Sequence, residues 1–215
     1  MGLTESEVQS QQRKRYEDWV RTEGGVERAV LDSTYQESAQ VERTKWLVKQ
    51  VEDLPIVNAH RSILELGCSG GYQLLAMQGL AGVDINTDII DTNRKAHPDN
   101  LWIHANITEP GWDIMLLRFD CVVLPEILEH LEWHQVKLVI RKAKQLAKKR
   151  LLITIPDGTD IHKNQRNWAC FKHKFVLSEQ KLTEILSECR KDGWQPTWKS
   201  DGAFIMIRCD KGVST

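Results

Sequence analysis

Glu126, Glu129 and His130 are the residues whose types and spacing most plainly offer chemistry. Two carboxylates and an imidazole fall within five positions of Pro125-Glu-Ile-Leu-Glu-His-Leu131. If that stretch is helical, Glu126 lies near both Glu129 and His130, at i+3 and i+4. Such a cluster suits a divalent metal once a fourth ligand arrives from elsewhere, and His162 and His173 are two residues able to supply it. Without a metal, His130 is a general base with Glu129 beside it. A third reading is purely structural, the polar groups buttressing a turn.

A second constellation stands upstream. In Glu65-Leu-Gly67-Cys68-Ser69-Gly70-Gly71 the glycines let the backbone turn sharply and let a ligand approach the peptide closely. The spacing is G-x-x-G-G, so the phosphate-binding G-x-G-x-x-G is not met. Asp84 follows nineteen residues after Glu65. At the end of a strand its carboxylate accepts from both ribose hydroxyls of an adenosine; the bland alternative is a cap for the next helix. Asn106 is placed to reach an adenine edge, or to be an ordinary turn asparagine.

These residues need strands that end side by side. Short apolar runs over 62–66, 81–85, 101–105, 119–124 and 151–155 read as strands. Helical patterns fill the intervals at 72–80, 87–96 and 133–148, and a further helix begins after Ser178, ended by Gly193. Residues 194–199 and 203–209 read as a hairpin around Ser200-Asp-Gly202. Continuously apolar strands alternating with helices imply an α/β fold with a mostly parallel sheet buried on both faces. Earlier, 41–54 carries a helical stripe ended by Pro55, and 7–22 is a looser amphipathic helix.

Taken in order, the glycine turn, Gly82-Val-Asp84-Ile85 and Pro125-Glu-Ile-Leu-Glu-His130-Leu resemble the E-x-G-x-G-x-G, G-V-D and E-x-x-E-H-L series of class I S-adenosylmethionine (SAM)-dependent methyltransferases, over about residues 60–156. The resemblance implies a Rossmann-like, seven-stranded, mostly parallel sheet with helices on both faces and a C-terminal antiparallel hairpin. It also implies SAM as methyl donor. By carry-over the cofactor set is Glu65, Gly67, Cys68, Ser69, Gly70, Asp84, Ile85, Asn106, Ile107 and Pro125, with Gly67 and its neighbours at the methionine end, Asp84 on the ribose and Asn106 on the adenine. Two positions depart from the pattern: Ser69 replaces the middle glycine, and Asn106 stands where an acid is common. Phe171-Lys-His173-Lys-Phe175 is similar to the H-x-F segment of small-RNA 2′-O-methyltransferases. Those enzymes and the polyprenyl O-methyltransferases imply Glu126, Glu129, His130 and His173 as ligands of a divalent metal, with catalytic roles for Glu129 and His130.

Composition bounds the rest. At 215 residues the chain is one ordinary domain, 41% hydrophobic and 27% charged, with a formal net charge of −1 that advertises no general affinity for nucleic acid. Residues 1–58 are expected to be a helical segment covering the cofactor site and 59–215 the methyltransferase domain. No apolar run approaches a membrane span, and the acidic N-terminus is unlike a secretory signal. Gly2 with Ser6 formally matches a myristoylation pattern, with no basic cluster beside it. Five scattered cysteines without a CxxC pair fit reduced thiols in a cytoplasmic protein, Cys121 and Cys209 as core residues. Trp102 and Trp112 read as packing; Trp168, Trp194 and Trp198 pack or line a substrate mouth. Lys163, Arg166, Lys172 and Lys174, interleaved with Trp168 and Phe171, suit an anionic acceptor or are a solvated loop. O-methylation of a small-molecule or glycan hydroxyl is the first expectation and RNA 2′-O-methylation the second. A dehydrogenase shares the strand-end acid but requires the missing phosphate motif. A non-catalytic SAM-binding protein is a further alternative, which the intact glycines and Asp84 disfavour.

Overall fold

A computed structural model describes residues 35–112, 118–157 and 173–212. The chain divides into two units, Met1–Trp46 and Leu47–Thr215. The expected helix over 7–22, His162, Trp168 and most of the basic stretch, Lys163 to Lys172, lie outside the described residues. In the first unit the described part is the opening of helix α1, Tyr35–Val51, where Lys45 pairs with Glu42 one turn back.

The second unit holds the end of α1 and an eight-stranded sheet. Its strands are β1 (Ile56–Val57), β2 (His60–Leu66), β3 (Gly79–Asp84), β4 (Leu101–His104), β5 (Phe119–Pro125), β6 (Ala147–Pro156), β7 (Trp194–Ser200) and β8 (Phe204–Lys211). Seven lie in the order β4-β3-β2-β5-β6-β8-β7, and two-residue β1 pairs antiparallel with β2 as an eighth. β2 to β6 run parallel, while β8 is antiparallel to both neighbours. This is the Rossmann-like, mostly parallel sheet with a C-terminal hairpin that the resemblance implies, with one short strand added.

Among the described residues, four helices connect it: α2 (Tyr72–Ala76), α3 (Thr87–Ala96), α4 (Trp133–Leu146) and α5 (Glu179–Arg190). β2–α2–β3–α3–β4 steps toward one sheet edge and β5–α4–β6 toward the other. Right-handed crossovers therefore place α2 and α3 on one face and α4 on the opposite face. Alternation along the strands matches. Leu64, Leu66, Val122, Leu124, Ile153 and Ile155 join one core cluster with Val136, Val139, Ile140 and Ala143 of α4 and Ile185, Leu186 and Cys189 of α5. Cys121 and Cys209 are buried, as their apolar runs suggest.

Local chemistry sets the ends. Asn86 Oδ1 accepts from the Ile89 N–H at the start of α3, and Ser178 Oγ accepts from the Lys181 N–H at the start of α5. Glu132 and Gln135 form a capping box on α4. α2 is shorter than its apolar pattern suggests, because Gln78 turns left-handed (φ 56°) and Gly79 already belongs to β3. α4 likewise yields Ala147 and Lys148 to β6.

Candidate active site

The five parallel strands deliver their C-terminal ends to one edge of the sheet. Strand order reverses between β2 and β5, so the crevice of an open α/β sheet lies between the loops that follow those two strands. The loop after β2 is the glycine turn. Gly67 there adopts φ +76°, and a Cβ on it would stand 2.7 Å from Ile127 Cδ1, so only glycine lets the two loops close on each other.

Asp84 holds the turn in shape. The Ser69 N–H donates to its Oδ2 at 2.8 Å and the Asn86 N–H to its Oδ1 at 2.9 Å. Each carboxylate oxygen has one main-chain donor and retains acceptor capacity for a ligand hydroxyl. Gly67 and Cys68 donate to the Val83 carbonyl at 2.8 and 2.9 Å. Asn93 on α3, only 4% exposed, donates from Nδ2 to the Ser69 carbonyl at 2.8 Å. Ser69 itself is left-handed (φ 43°). The turn is thus gripped through its main chain from two elements.

The remaining cofactor candidates surround this point in different ways. Glu65 is fully buried near the end of β2, paired across the sheet with Gly82 and Val123. Cys68 is buried, and burial, then Glu65 and Asp84, push its thiol pKa well up, so it is packing rather than a nucleophile. Gly70 lies against the Tyr72 ring. Ile85 is 62% exposed directly after Asp84. Asn106 is engaged in its own turn: its Oδ1 accepts from the Thr108 N–H and Oγ1, and its Nδ2 donates to Glu109. Ile107 and Pro125 are buried, Pro125 at the end of β5.

Beyond β5 the helical expectation is corrected. Glu126 takes a left-handed conformation (φ 51°), its N–H donating to Thr154, and only Leu128–His130 form a turn of 3-10 helix. Helical neighbours at i+3 and i+4 require continuous helical backbone, so Glu126 is not brought beside Glu129 and His130 that way. A residue forced into that region at a strand end is a frequent mark of a functional site.

Three of the four proposed ligands do meet. The ligand atoms of Glu129, His130 and His173 all lie within 4.8 Å of one another. The two imidazole centroids are 4.8 Å apart and T-shaped. Glu129 is 1% exposed. Burial first, and then the charge of His130, lower the His173 pKa to about 4. Two imidazole nitrogens and a carboxylate are a donor set that fits a divalent transition metal. Glu126 is not in this group.

Sequence reading missed Asn93 and Ile127. Asn93 shares the buried stripe of α3 with Ile90, three residues back, and a polar side chain on that stripe was its signal. Of the tryptophans, Trp102 and Trp194 are buried packing residues and Trp198 is half exposed. The opposite, amino edge of the sheet has a separate open cavity of about 800 Å³ lined by His60, Arg61, Asp99, Asp120 and Lys148, remote from all these groups. No helix among the described residues is long and apolar enough to cross a membrane.

Fold and site together define an α/β protein with a crevice at the switch point, flanked by the glycine turn and Asp84. Residues 64–153 match the methyltransferase domain family. No curated protein sequence matches the chain. Among solved structures, magnesium protoporphyrin IX methyltransferase from Synechocystis PCC 6803 with bound SAH is similar at TM-score 0.60 and 13% identity, over 95% of this chain and 96% of that one. An O-methyltransferase family protein from Burkholderia thailandensis gives TM-score 0.59 and 16% identity, over 97% and 70%. The small RNA methyltransferase HEN1 gives TM-score 0.63 and 17% identity over 82% of this chain, which spans 26% of that longer one. Residues 64–153 thus carry a methyltransferase domain, and the chain has the fold of class I SAM-dependent methyltransferases.

Proposed function

We propose that this methyltransferase alkylates a hydroxyl oxygen of a small molecule or glycan, and that Glu129, His130 and His173 hold a divalent cation beside the acceptor. The meeting of those three side chains within 4.8 Å, next to the switch-point crevice, carries the reading. SAM supplies a methyl group already activated on a sulfonium, so the protein's main tasks are alignment and removal of the hydroxyl proton. A divalent cation lowers the pKa of a hydroxyl bound to it.

On this reading the chain's own groups divide the work. Asp84 accepts the ribose hydroxyls with the oxygen capacity left over from Ser69 and Asn86. Gly67, Cys68, Ser69 and Gly70 present main chain to the methionine end, with Glu65 buried beneath them. Ile85 gives the adenosine an apolar surface, Ile107 and Pro125 line the crevice, and Asn106 braces the turn that meets the adenine. Ligation keeps Glu129 and His130 facing the acceptor. If no metal takes part, His130 receives the proton and Glu129 orients it.

A second reading, 2′-O-methylation of RNA, is favoured by the same two-histidine and carboxylate set combined with the fold likeness to HEN1. Transfer of labelled methyl from SAM to sugars, phenols and RNA ends, with and without chelator, separates them. Ether formation on a small hydroxyl compound that stops on chelation and in His173→Ala is the expected result. Transfer confined to RNA replaces the acceptor, and transfer indifferent to chelation and to His173→Ala removes the metal.

A further inference from the structure

His173 lies in a segment, 173–177, that belongs to no helix or strand. Its approach to Glu129 and His130 therefore depends on side-chain and single main-chain contacts. We propose that Trp133, Phe175 and Lys181 form a clasp that positions His173 against Glu129 and His130, so that the ligand set is preassembled. This inference rests on the metal reading above.

Contacts of different kinds converge on these few residues. The Lys174 N–H donates to the Glu129 carbonyl at 2.7 Å, which ties the backbone next to His173 to the backbone of a proposed ligand. Two residues past His173, the Phe175 ring stands edge-on to Trp133, with centroids 5.1 Å apart at 79°. Trp133 opens α4 and is three residues past His130, so the aromatic pair joins the two segments that bring the histidines together. Lys181, on the first turn of α5, sets Nζ 4.7 Å from the Phe175 centroid and 5.5 Å from that of Trp133. The same ammonium donates to the Val176 carbonyl at 3.3 Å. One cation thus grips both rings and the backbone between Phe175 and Leu177. Phe175 and Leu177 are each 8% exposed and belong to the core cluster, which anchors the segment from below. The Lys174–Glu132 ion pair at 3.1 Å is half exposed on both sides and adds little.

None of these three side chains has the donor atoms of a metal ligand. Their effect is to fix where His173 sits, as groups behind a ligand commonly do; removing such groups typically weakens metal binding about 10–100-fold. Loss of the cation alone leaves the aromatic contact in place, and loss of the Phe175 ring removes both its edge contact with Trp133 and its contact with Lys181.

The test is calorimetric titration of Mn2+ into the full chain, with SAM affinity and melting temperature measured on the same samples. The expected result is Mn2+ binding by the wild type, a Kd about 10-fold weaker in Phe175→Leu with Lys181→Met, and near-normal binding in the conservative Trp133→Phe. SAM affinity stays unchanged in all of them. Lys181→Met alone, a partly exposed site, gives a smaller weakening and serves if the double variant folds poorly. Wild-type binding that persists unaltered in Lys181→Met and the double variant, with only the melting temperature lowered, overturns the clasp and leaves the metal reading standing. Absence of Mn2+ binding by the wild type overturns both.

Discussion

The two edges of the sheet handle charge in opposite ways. At the amino edge, charges meet charges. Arg150, its side chain 7% exposed, binds Asp53 through both terminal nitrogens and Asp210 through Nε, and also reaches the Gln50 carbonyl. Arg208 adds a second contact to Asp210, and Lys149 pairs with Asp120. At the carboxyl edge, Asp84 is met by two backbone N–H groups, and the main chain around it is held by neutral donors such as Asn93. An ion pair consumes the acceptor capacity of its carboxylate, whereas a single N–H on each oxygen orients it and leaves room for a ligand. The amino edge is therefore built for stability and the carboxyl edge for binding.

Substitutions at each edge test that contrast. Asp84→Ala removes two charge-accepting hydrogen bonds and the ribose acceptor together. It is expected to weaken SAM binding by about 100-fold or more, measured by titration calorimetry, with a melting temperature changed far less than the affinity. A protein that keeps its SAM affinity would dissolve the distinction between the edges.

Arg150→Met should do the reverse, costing about 2 kcal/mol of stability in denaturant unfolding while leaving the SAM Kd unchanged. The pH dependence sharpens it. The Arg150 hydrogen bond holds Asp53 below the usual carboxylate range. For Asp210, burial acts upward but the hydrogen bonds from Arg208 and Arg150 outweigh it. A carboxyl whose folded pKa is depressed contributes stability that is present above its unfolded pKa and disappears as pH falls through the folded one. The wild type should therefore lose stability on acidification below about pH 4, and Arg150→Met should lose markedly less over the same interval. Equal slopes would show that these pairs are not what the amino edge relies on.

The smallest effect is expected at Ser69. Asp84 and Asn93 grip only its N–H and carbonyl, and its φ of 43° is strained for any residue but glycine. Ser69→Gly should leave SAM affinity within about 2-fold and change stability by no more than about 1 kcal/mol, strain relief offsetting added chain entropy. A large loss of affinity would mean that the hydroxyl itself touches the cofactor.

Much of this arrangement is legible in the residues. Alternating apolar runs and helical stripes mark six of the seven long strands within two or three residues, and β6 lacks only its start. The capping residue Ser178 sits where its helix begins, because such signals act over a few neighbours. The glycine turn and Asp84 are readable for the same reason: a sharp turn and a strand-end acid are local requirements. What escaped is what depends on distance in space. Glu126 looks like part of a helical cluster until the turn after Pro125 makes it left-handed. Asn106 looks like a ligand group until its own turn absorbs it. Asn93 looks like an ordinary helix asparagine, though it meets a carbonyl twenty-four residues away.

The sequence by itself determined the α/β class, the mostly parallel sheet and the glycine turn, since propensity, periodicity and steric demand are written within short windows. Only the tertiary structure decided that Glu129, His130 and His173 stand together without Glu126, and that Asn93 and Ile127 shape the glycine turn. Such meetings are set by strand register and by core packing between residues far apart in the chain, which no local spacing encodes.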